Sequence, residues 1–226
     1  MGARLTGRRL PTGGEYLDRW SLLHGGATPG GLVGWWLRLS YRLALPLARG
    51  GIGPDALTIA GVVVAAGAVV PAASGGHWPV ASAALVAASG VLDSLDGAVA
   101  VLTGRTTRWG FVLDSLCDRV SDAAYAAALY AAGAPAGLAL AGAAIAWLHE
   151  YLRSRAAVSG MPEVGLITVS ERPTRVIVAA MFLLGAGLFA SAGAGWAAAG
   201  ALAMTTLGVV GFVQLLVVVR GRTREP

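Results

Sequence analysis

The sequence predicts an all-α integral membrane protein with six transmembrane helices, and three observations support that prediction. First, 56% of the 226 residues are hydrophobic and only 13% are charged, which is about half the charged fraction of an average soluble domain. Second, several apolar stretches of about 20 residues are long enough to cross a bilayer core of about 30 Å as helices. Third, the 17 arginines lie in some of the connecting segments and in the helix ends that flank them. This composition excludes a disordered chain and disfavours a water-soluble globule.

Six segments approximately meet the length required of a span. They are residues 57–73, 79–102, 110–132, 135–157, 174–191 and 196–219. Hydropathy alone also permits five or seven spans, but six spans place all the arginines in the loops and helix ends of one side. Positive charge stays in the cytoplasm during insertion, so both termini are predicted to be cytoplasmic. The six-span domain then covers residues 52–219, between a leader at 1–51 and a tail at 220–226.

The leader is predicted to end in an interfacial amphipathic helix. Residues 35–47 combine bulky apolar side chains with Arg38 and Arg42, which lie one helical turn apart. This pattern is typical of a helix whose tryptophans lie at headgroup depth and whose arginines face anionic membrane lipid. A disordered basic leader is the alternative interpretation.

The second and third predicted spans contain carboxylates, which are expensive in a membrane segment and usually functional. On the second span, four residues share one helical face: Asp93, Asp96, Gly97 and Ala100. On the third span, four residues recur at steps of four: Gly110, Asp114, Asp118 and Asp122. The connection between these spans is short, so the two helices are expected to be antiparallel neighbours. Four of the carboxylates can then converge near the cytoplasmic surface.

Four converging carboxylates repel one another and lose hydration, so a positive charge must compensate them. Oxygen ligands without histidine or thiolate partners select hard divalent ions, and Mg²⁺ or Mn²⁺ therefore fits better than zinc. At a membrane surface such a site indicates phosphate or diphosphate chemistry. The small residues Gly97, Ala100 and Gly110 would let a nucleotide approach the helices.

Two other interpretations of the aspartates are weaker. The carboxylates could cap helix ends or pair with Arg105, Arg108 and Arg119, but four of them at two regular spacings fit that interpretation poorly. They could also belong to an ion or proton pathway. No acidic or histidine residues continue from the cluster toward the opposite surface, which disfavours a pathway.

The residue pattern resembles a known family signature. D-x2-D-G-x2-A, followed after nine residues by G-x3-D-x3-D, is similar to the motif of the CDP-alcohol phosphotransferases, six-span membrane enzymes of phospholipid synthesis. Within that family the pattern is most similar to the actinobacterial phosphatidylinositol phosphate and phosphatidylglycerophosphate synthases. Residues 54–61, 151–156 and 170–176 extend the resemblance, so that it covers roughly residues 52–176.

The resemblance implies a role for each motif residue. One or two Mg²⁺ or Mn²⁺ ions would be held by Asp93, Asp96, Asp114 and Asp118. These ions would bind the diphosphate of a CDP-linked lipid such as CDP-diacylglycerol. Asp118 would also be the general base that takes the proton from the hydroxyl of a small polar acceptor, and CMP would leave. Gly97, Ala100 and Gly110 would line the cytidine pocket, and the protein would be a homodimer.

One motif position departs from the family pattern. The family has an arginine directly after the motif alanine, where this chain has Val101. Arg105 lies one helical turn beyond and is predicted to reach back and contribute to CDP-alcohol binding. The departure also keeps open a non-catalytic or transport protein that retains the fold.

Four arginines near the end of the fourth span are candidates for binding a phosphorylated acceptor: Arg153, Arg155, Arg172 and Arg175. Guanidinium groups bind phosphate bidentately, which suits inositol phosphate or glycerol phosphate, although retention of positive charge in the cytoplasm explains any single one equally well. The inositol phosphate enzymes have a lysine in place of Arg153 and an arginine in place of Leu215. A different acceptor, including a phospholipid as in cardiolipin-type synthesis, therefore stays open. His149 is predicted to be packed or interfacial, and the net charge of +5 gives no reason to invoke nucleic acid.

Overall fold

The computed structural model of the protein describes residues 9–23, 25–161 and 167–222. Within these ranges the chain forms nine α-helices and one short 3-10 helix. They are α1 (Gly13–Leu23), α2 (Gly31–Arg49), α3 (Pro54–Gly67), α4 (Val69–Ala73), α5 (Pro79–Thr103), α6 (Arg108–Ala131), α7 (Ala136–Val158), α8 (Arg172–Leu188), the 3-10 helix Ala190–Ala192 and α9 (Gly193–Arg222). The all-α prediction is confirmed for the described residues. The outermost parts of the predicted leader and tail, residues 1–8 and 223–226, lie outside them.

Three helical segments in the described part of the chain are long and apolar enough to cross a membrane: Pro54–Ala73, Pro79–Thr103 and Ala190–Arg222. They correspond to the first, second and sixth predicted spans and indicate an integral membrane protein. Helices α6, α7 and α8 occupy the other three predicted positions. These three helices are less suited in length or apolar character to crossing a membrane. Helix α6 and the end of α7 contain many charged residues, and α8 has only 17 residues.

The chain divides into two compact units. Unit 1 consists of Met1–Ala60 and Val91–Ser115, and unit 2 consists of Gly61–Gly90 and Leu116–Pro226. Helices α3, α5 and α6 each pass from one unit into the other.

In unit 1, the second half of α5 has two chemically different faces. Leu95, Val99 and Leu102 recur at helical spacing and are buried in one cluster with Tyr16 of α1 and Leu37 of α2. Asp93 and Asp96 are rotated by about 100° or more from Leu95 around the helix axis and therefore lie on another face of the helix. Burial of the apolar face against α1 and α2 holds the carboxylate face in a fixed orientation.

Helix α1 was not predicted from the glycine-rich sequence around it. Its start is stabilised by a reciprocal pair of contacts: the N–H of Thr12 donates to Glu15 Oε2 at 2.6 Å, and the N–H of Glu15 donates to Thr12 Oγ1 at 3.4 Å. This is a capping box, and the spacing T-x-x-E is its sequence signal. The Thr12 backbone N–H is the main reason that the pKa of the Glu15 carboxyl lies below its usual value.

The turn between α5 and α6 has well-defined caps at both ends. Gly104 has a φ of +66°, a left-handed conformation that favours glycine, and the N–H of Arg105 donates to the carbonyl of Ala100 at 2.9 Å. These features are those of a glycine helix C-cap. Thr107 then caps α6, because its Oγ1 accepts a hydrogen bond from the N–H of Gly110 at 2.9 Å. The caps fix the positions of Arg105 and Gly110 relative to the ends of the two helices.

In unit 2, small residues let the helices approach closely. Alanines make up most of the buried cluster, which also contains Leu129 and Leu183. A Cβ atom added to Gly187 at the end of α8 would lie 2.5 Å from the backbone nitrogen of Val80 on α5. The ring Nδ1 of His77 donates to the Gly187 carbonyl at 2.7 Å, which joins the start of α5 to the end of α8.

We expect Gly187→Ala to destabilise the protein. The added methyl group would overlap the α5 backbone, and such overpacking costs about 1–3 kcal/mol. Thermal unfolding in detergent would measure the loss. Gly137→Ala on α7 is the matched control, because a Cβ there meets nothing within 4 Å and alanine favours helix by up to about 1 kcal/mol. Equal unfolding temperatures for the two variants would contradict the close contact.

Candidate active site

Two carboxylates from different helices approach each other in unit 1. Asp93 lies on α5 and Asp114 on α6, and one carboxylate oxygen of each lies within 4.8 Å of the other. Both side chains are half-buried. The convergence predicted from the short α5–α6 connection is therefore present for this pair. Such a pair of oxygen donors suits a hard divalent cation.

Asp96 is more deeply buried, with 7% of the residue exposed. Its Oδ2 accepts a hydrogen bond of 2.6 Å from the hydroxyl of Thr58 on α3. This hydrogen bond fixes the orientation of the buried carboxyl group. Thr58 was not among the site residues predicted from the sequence, although its segment, residues 54–61, was part of the family resemblance.

A cavity of about 470 Å³ lies beside these carboxylates within unit 1. All four residues predicted to bind the CDP-alcohol line it: Gly97, Ala100, Arg105 and Gly110. A Cβ atom on Gly97 would meet nothing within 4 Å, so this position opens onto free space. The wall also has an aromatic part that was not predicted from the sequence, formed by Tyr16 and Trp20 of α1 and Trp36 of α2.

Val101, which stands where the family has an arginine, belongs to the apolar cluster of unit 1. Its carbonyl accepts a hydrogen bond of 3.4 Å from the guanidinium of Arg19 on α1. Arg105 lines the cavity, and its Nη1 would lie 3.7 Å from a Cβ atom added to Gly53. Two arginines therefore lie in this part of unit 1: Arg105, which was predicted, and Arg19, which was not.

Asp118 follows Asp114 by one turn of α6, at the point where this helix enters unit 2. In unit 2 the Asp118 carboxylate forms an ion pair with Arg172 at the start of α8. Arg119 Nη2 lies 3.6 Å from Asp118 Oδ2 and 3.5 Å from Asp122 Oδ2. The predicted general base is thus held by two guanidinium groups.

The arginines predicted to bind an acceptor phosphate differ in their surroundings. Arg172 pairs with Asp118, Arg153 Nη2 lies 2.7 Å from Glu171 Oε1, and Arg175 Nε lies 3.1 Å from Asp122 Oδ1. Arg175 and Asp122 are almost completely buried, with 4% and 0% of the residue exposed. Arg155 is exposed. In the described part of the chain, Arg153, Arg172 and Arg175 therefore belong to one ion-pair network on α6, α7 and α8.

Residues just before α8 support this network. Burial opposes ionisation of Glu171, but the N–H and hydroxyl of Thr168 and the guanidinium of Arg153 together lower the pKa of its carboxyl. Glu171 is consequently a charged partner for Arg153 at neutral pH. His149 is fully buried, and its Nε2 lies 3.1 Å from Thr168 Oγ1, so the prediction of a packed histidine is confirmed.

Comparison with known proteins identifies the family. The family model described as CDP-alcohol phosphatidyltransferase matches residues 52–210 of the chain. The chain belongs to the CDP-alcohol phosphatidyltransferase family. It is therefore an enzyme of phospholipid biosynthesis, as the aspartate motif indicated.

Two curated relatives of this phosphatidyltransferase are synthases of inositol phosphate lipids. The chain is 36% identical to the phosphatidylinositol phosphate synthase of Mycobacterium marinum, over 76% of each chain. It is 38% identical to the archaetidylinositol phosphate synthase of Aeropyrum pernix, over 62% of this chain and 72% of that one.

Solved structures of the Mycobacterium tuberculosis phosphatidylinositol phosphate synthase share the fold. The complex with manganese and citrate superposes with a TM-score of 0.65 at 28% identity, covering 80% of this chain and 88% of that chain. The complex with CDP-DAG gives the same TM-score and identity, covering 80% and 94%.

Replacing Thr58 tests the hydrogen bond to Asp96. Thr58→Val keeps the shape of the side chain but leaves a buried carboxylate without this donor, which costs about 1–3 kcal/mol. Thermal unfolding in detergent should show the loss. Thr58→Ser keeps the hydroxyl and serves as the control. If the valine variant were as stable as the serine variant, the hydrogen bond would contribute nothing to folding.

Proposed function

We propose that this phosphatidyltransferase moves the phosphatidyl group of CDP-diacylglycerol to a hydroxyl group of a small polar acceptor and releases CMP. The observation that carries the proposal is the pair of carboxylates, Asp93 and Asp114, beside the cavity of about 470 Å³. This volume lies in the range of small-molecule sites. The related mycobacterial synthase has been solved with CDP-DAG bound, which supports the same lipid donor.

The second part of the proposal is that one or two Mg²⁺ or Mn²⁺ ions are held by Asp93, Asp96, Asp114 and Asp118. The donor set fits such ions because it consists of oxygen atoms alone. The bound manganese of the related mycobacterial structure supports the assignment. When bound, the ions supply positive charge that offsets the charge of the diphosphate and of the departing CMP.

Asp118 is proposed as the general base. Its carboxylate pairs with Arg172 and Arg119, and a carboxylate is a group that can accept a proton. The acceptor hydroxyl gives its proton to Asp118, and its oxygen forms a bond to the lipid-side phosphorus. The bond from that phosphorus to the bridging diphosphate oxygen breaks, and the electron pair leaves with CMP.

The cavity walls suit the nucleotide part of the donor. Gly97, Ala100 and Gly110 have little bulk, which leaves room for the cytidine, and Arg105 offers a guanidinium for the diphosphate. The acceptor is proposed to enter beside α7 and α8, where four arginines lie: Arg153, Arg155, Arg172 and Arg175.

The membrane arrangement is part of the proposal. We infer six spans, with both termini and the active site on the cytoplasmic side, because this arrangement keeps all the arginines on one side. Helix α2 is proposed to lie in the membrane interface. One of its faces is buried at Leu37 and Ala44, while Leu32 and Trp35 are exposed. The family resemblance also supports a homodimer.

An acceptor panel tests the reaction. Purified protein with Mn²⁺ and CDP-diacylglycerol should release CMP with at least one acceptor, and the mass of the lipid product identifies which. The panel includes phosphatidylglycerol, so that a cardiolipin-type reaction would be detected. Asp118→Asn removes the base and should lower CMP release about 10²–10⁴-fold.

Asp18→Asn makes the same chemical change at an exposed position of α1 and should leave the rate unaltered. Two results would contradict the proposal: no CMP with any acceptor, or undiminished CMP release by the Asp118→Asn variant.

A further inference from the structure

We propose that Glu150 occupies the place of an acceptor phosphate, so that the acceptor of this enzyme is an uncharged polyol. The inference rests on the proposed transfer reaction and assigns its acceptor class. It separates this protein from the relatives named for phosphatidylinositol phosphate.

Glu150 of α7 lies among three guanidinium groups of unit 2. Its Oε1 is 3.6 Å from Arg119 Nη1 and 3.5 Å from Arg175 Nη2, and its Oε2 is 3.9 Å from Arg153 Nε. Arginines that bind a phosphate surround it in the same way, with several guanidinium groups around one anion. Here the anion belongs to the protein itself.

The same arginines also pair with other carboxylates. Arg153 pairs with Glu171, Arg175 with Asp122, and Arg119 with Asp118 and Asp122. With Arg172 included, the ion pairs among the described residues join four arginines and four carboxylates, and the formal charges of these eight groups cancel. A phosphate monoester carries a charge of about −1.5 to −2 at neutral pH. In this network the phosphate would be repelled by the carboxylate of Glu150, and these eight groups would provide no net positive charge to attract it.

The ion pairs differ in their access to water. Asp122 and Arg175 are almost completely buried, whereas the Glu150 and Arg153 side chains are 26% and 30% exposed. The accessible edge therefore presents a carboxylate, which accepts hydrogen bonds, beside a guanidinium, which donates them. A hydroxyl group both donates and accepts, and a polyol with several hydroxyl groups matches this edge without bringing a charge.

His149 limits the room for Glu150 to move aside. Its ring is fully buried, its Nδ1 lies 3.6 Å from Glu150 Oε1, and its Nε2 contacts Thr168. A phosphate that displaced the Glu150 carboxylate would leave that carboxylate close to the incoming negative charge, where like charges repel.

Paired acceptors test the inference. CMP release is measured in Mn²⁺ and CDP-diacylglycerol with myo-inositol against myo-inositol 1-phosphate, and with glycerol against glycerol 3-phosphate. We expect the unmodified enzyme to have the higher kcat/KM for the polyol of at least one pair. Glu150→Gln removes the charge and keeps the shape, and it should raise kcat/KM for the phosphorylated acceptor at least tenfold, mainly by lowering KM.

Two controls keep the outcomes separate. Glu15→Gln alters an exposed carboxylate of unit 1 and should leave the acceptor preference unchanged. Glu150→Asp keeps the charge and should keep the preference for the polyol, which distinguishes a charge effect from a packing defect. Mn²⁺-dependent binding of CDP-diacylglycerol, followed by thermal shift, checks that each variant is folded.

A higher kcat/KM for both phosphorylated acceptors in the unmodified enzyme would overturn this inference and leave the proposed reaction intact. An unchanged preference in the Glu150→Gln variant would overturn it as well. Absence of CMP with every acceptor, despite binding of the lipid donor, would overturn both proposals.

Discussion

The cost of placing carboxylates next to an apolar environment governs the arrangement of this protein. Each buried carboxylate needs a donor or a positive charge close by. In unit 2 the requirement is met by arginines, as the Asp122–Arg175 pair illustrates. In unit 1 a neutral hydroxyl, that of Thr58, serves Asp96. The Asp93–Asp114 pair lies at a cavity, where a cation could be held and exchanged. The two units thus use different means of compensation, one suited to permanent structure and the other to binding.

Periodic features of the site could be predicted from the sequence. The spacing of Asp93, Asp96 and Asp114 predicted a shared helical face and a meeting of two helices, because helix geometry is fixed by the backbone. The capped turn at Gly104 and Thr107 then brings Asp93 and Asp114 together. Local geometry and one short connection were sufficient for this part of the site.

Contacts between distant segments could not be predicted. Thr58 precedes Asp96 by 38 residues, and Arg19 precedes Val101 by 82; no periodicity links such positions. The pairing of Arg153 with Glu171 was missed for the same reason, since 18 residues separate them in the chain. Glu150, by contrast, lies three residues before Arg153 on α7, so helical spacing could have predicted that pair. Residue type suggested a positively charged pocket, whereas the folded chain supplies the opposing charges itself.

The second half of α5, with its apolar face and its carboxylate face, also limits which insertions and deletions the protein can accept. Its apolar residues and its aspartates lie on one stretch of helix. The rotation of this helix about its axis therefore sets the positions of both the core residues of unit 1 and the carboxylates of the candidate site. Each residue advances an α-helix by about 100°. Insertion or deletion of one codon within α5 before Asp93 would rotate the following carboxylates and leucines by about 100°, in opposite directions for the two changes, so that neither set would keep its present position. Such length changes should be tolerated in the loops of the chain but eliminated in this stretch, even where every encoded side chain is retained.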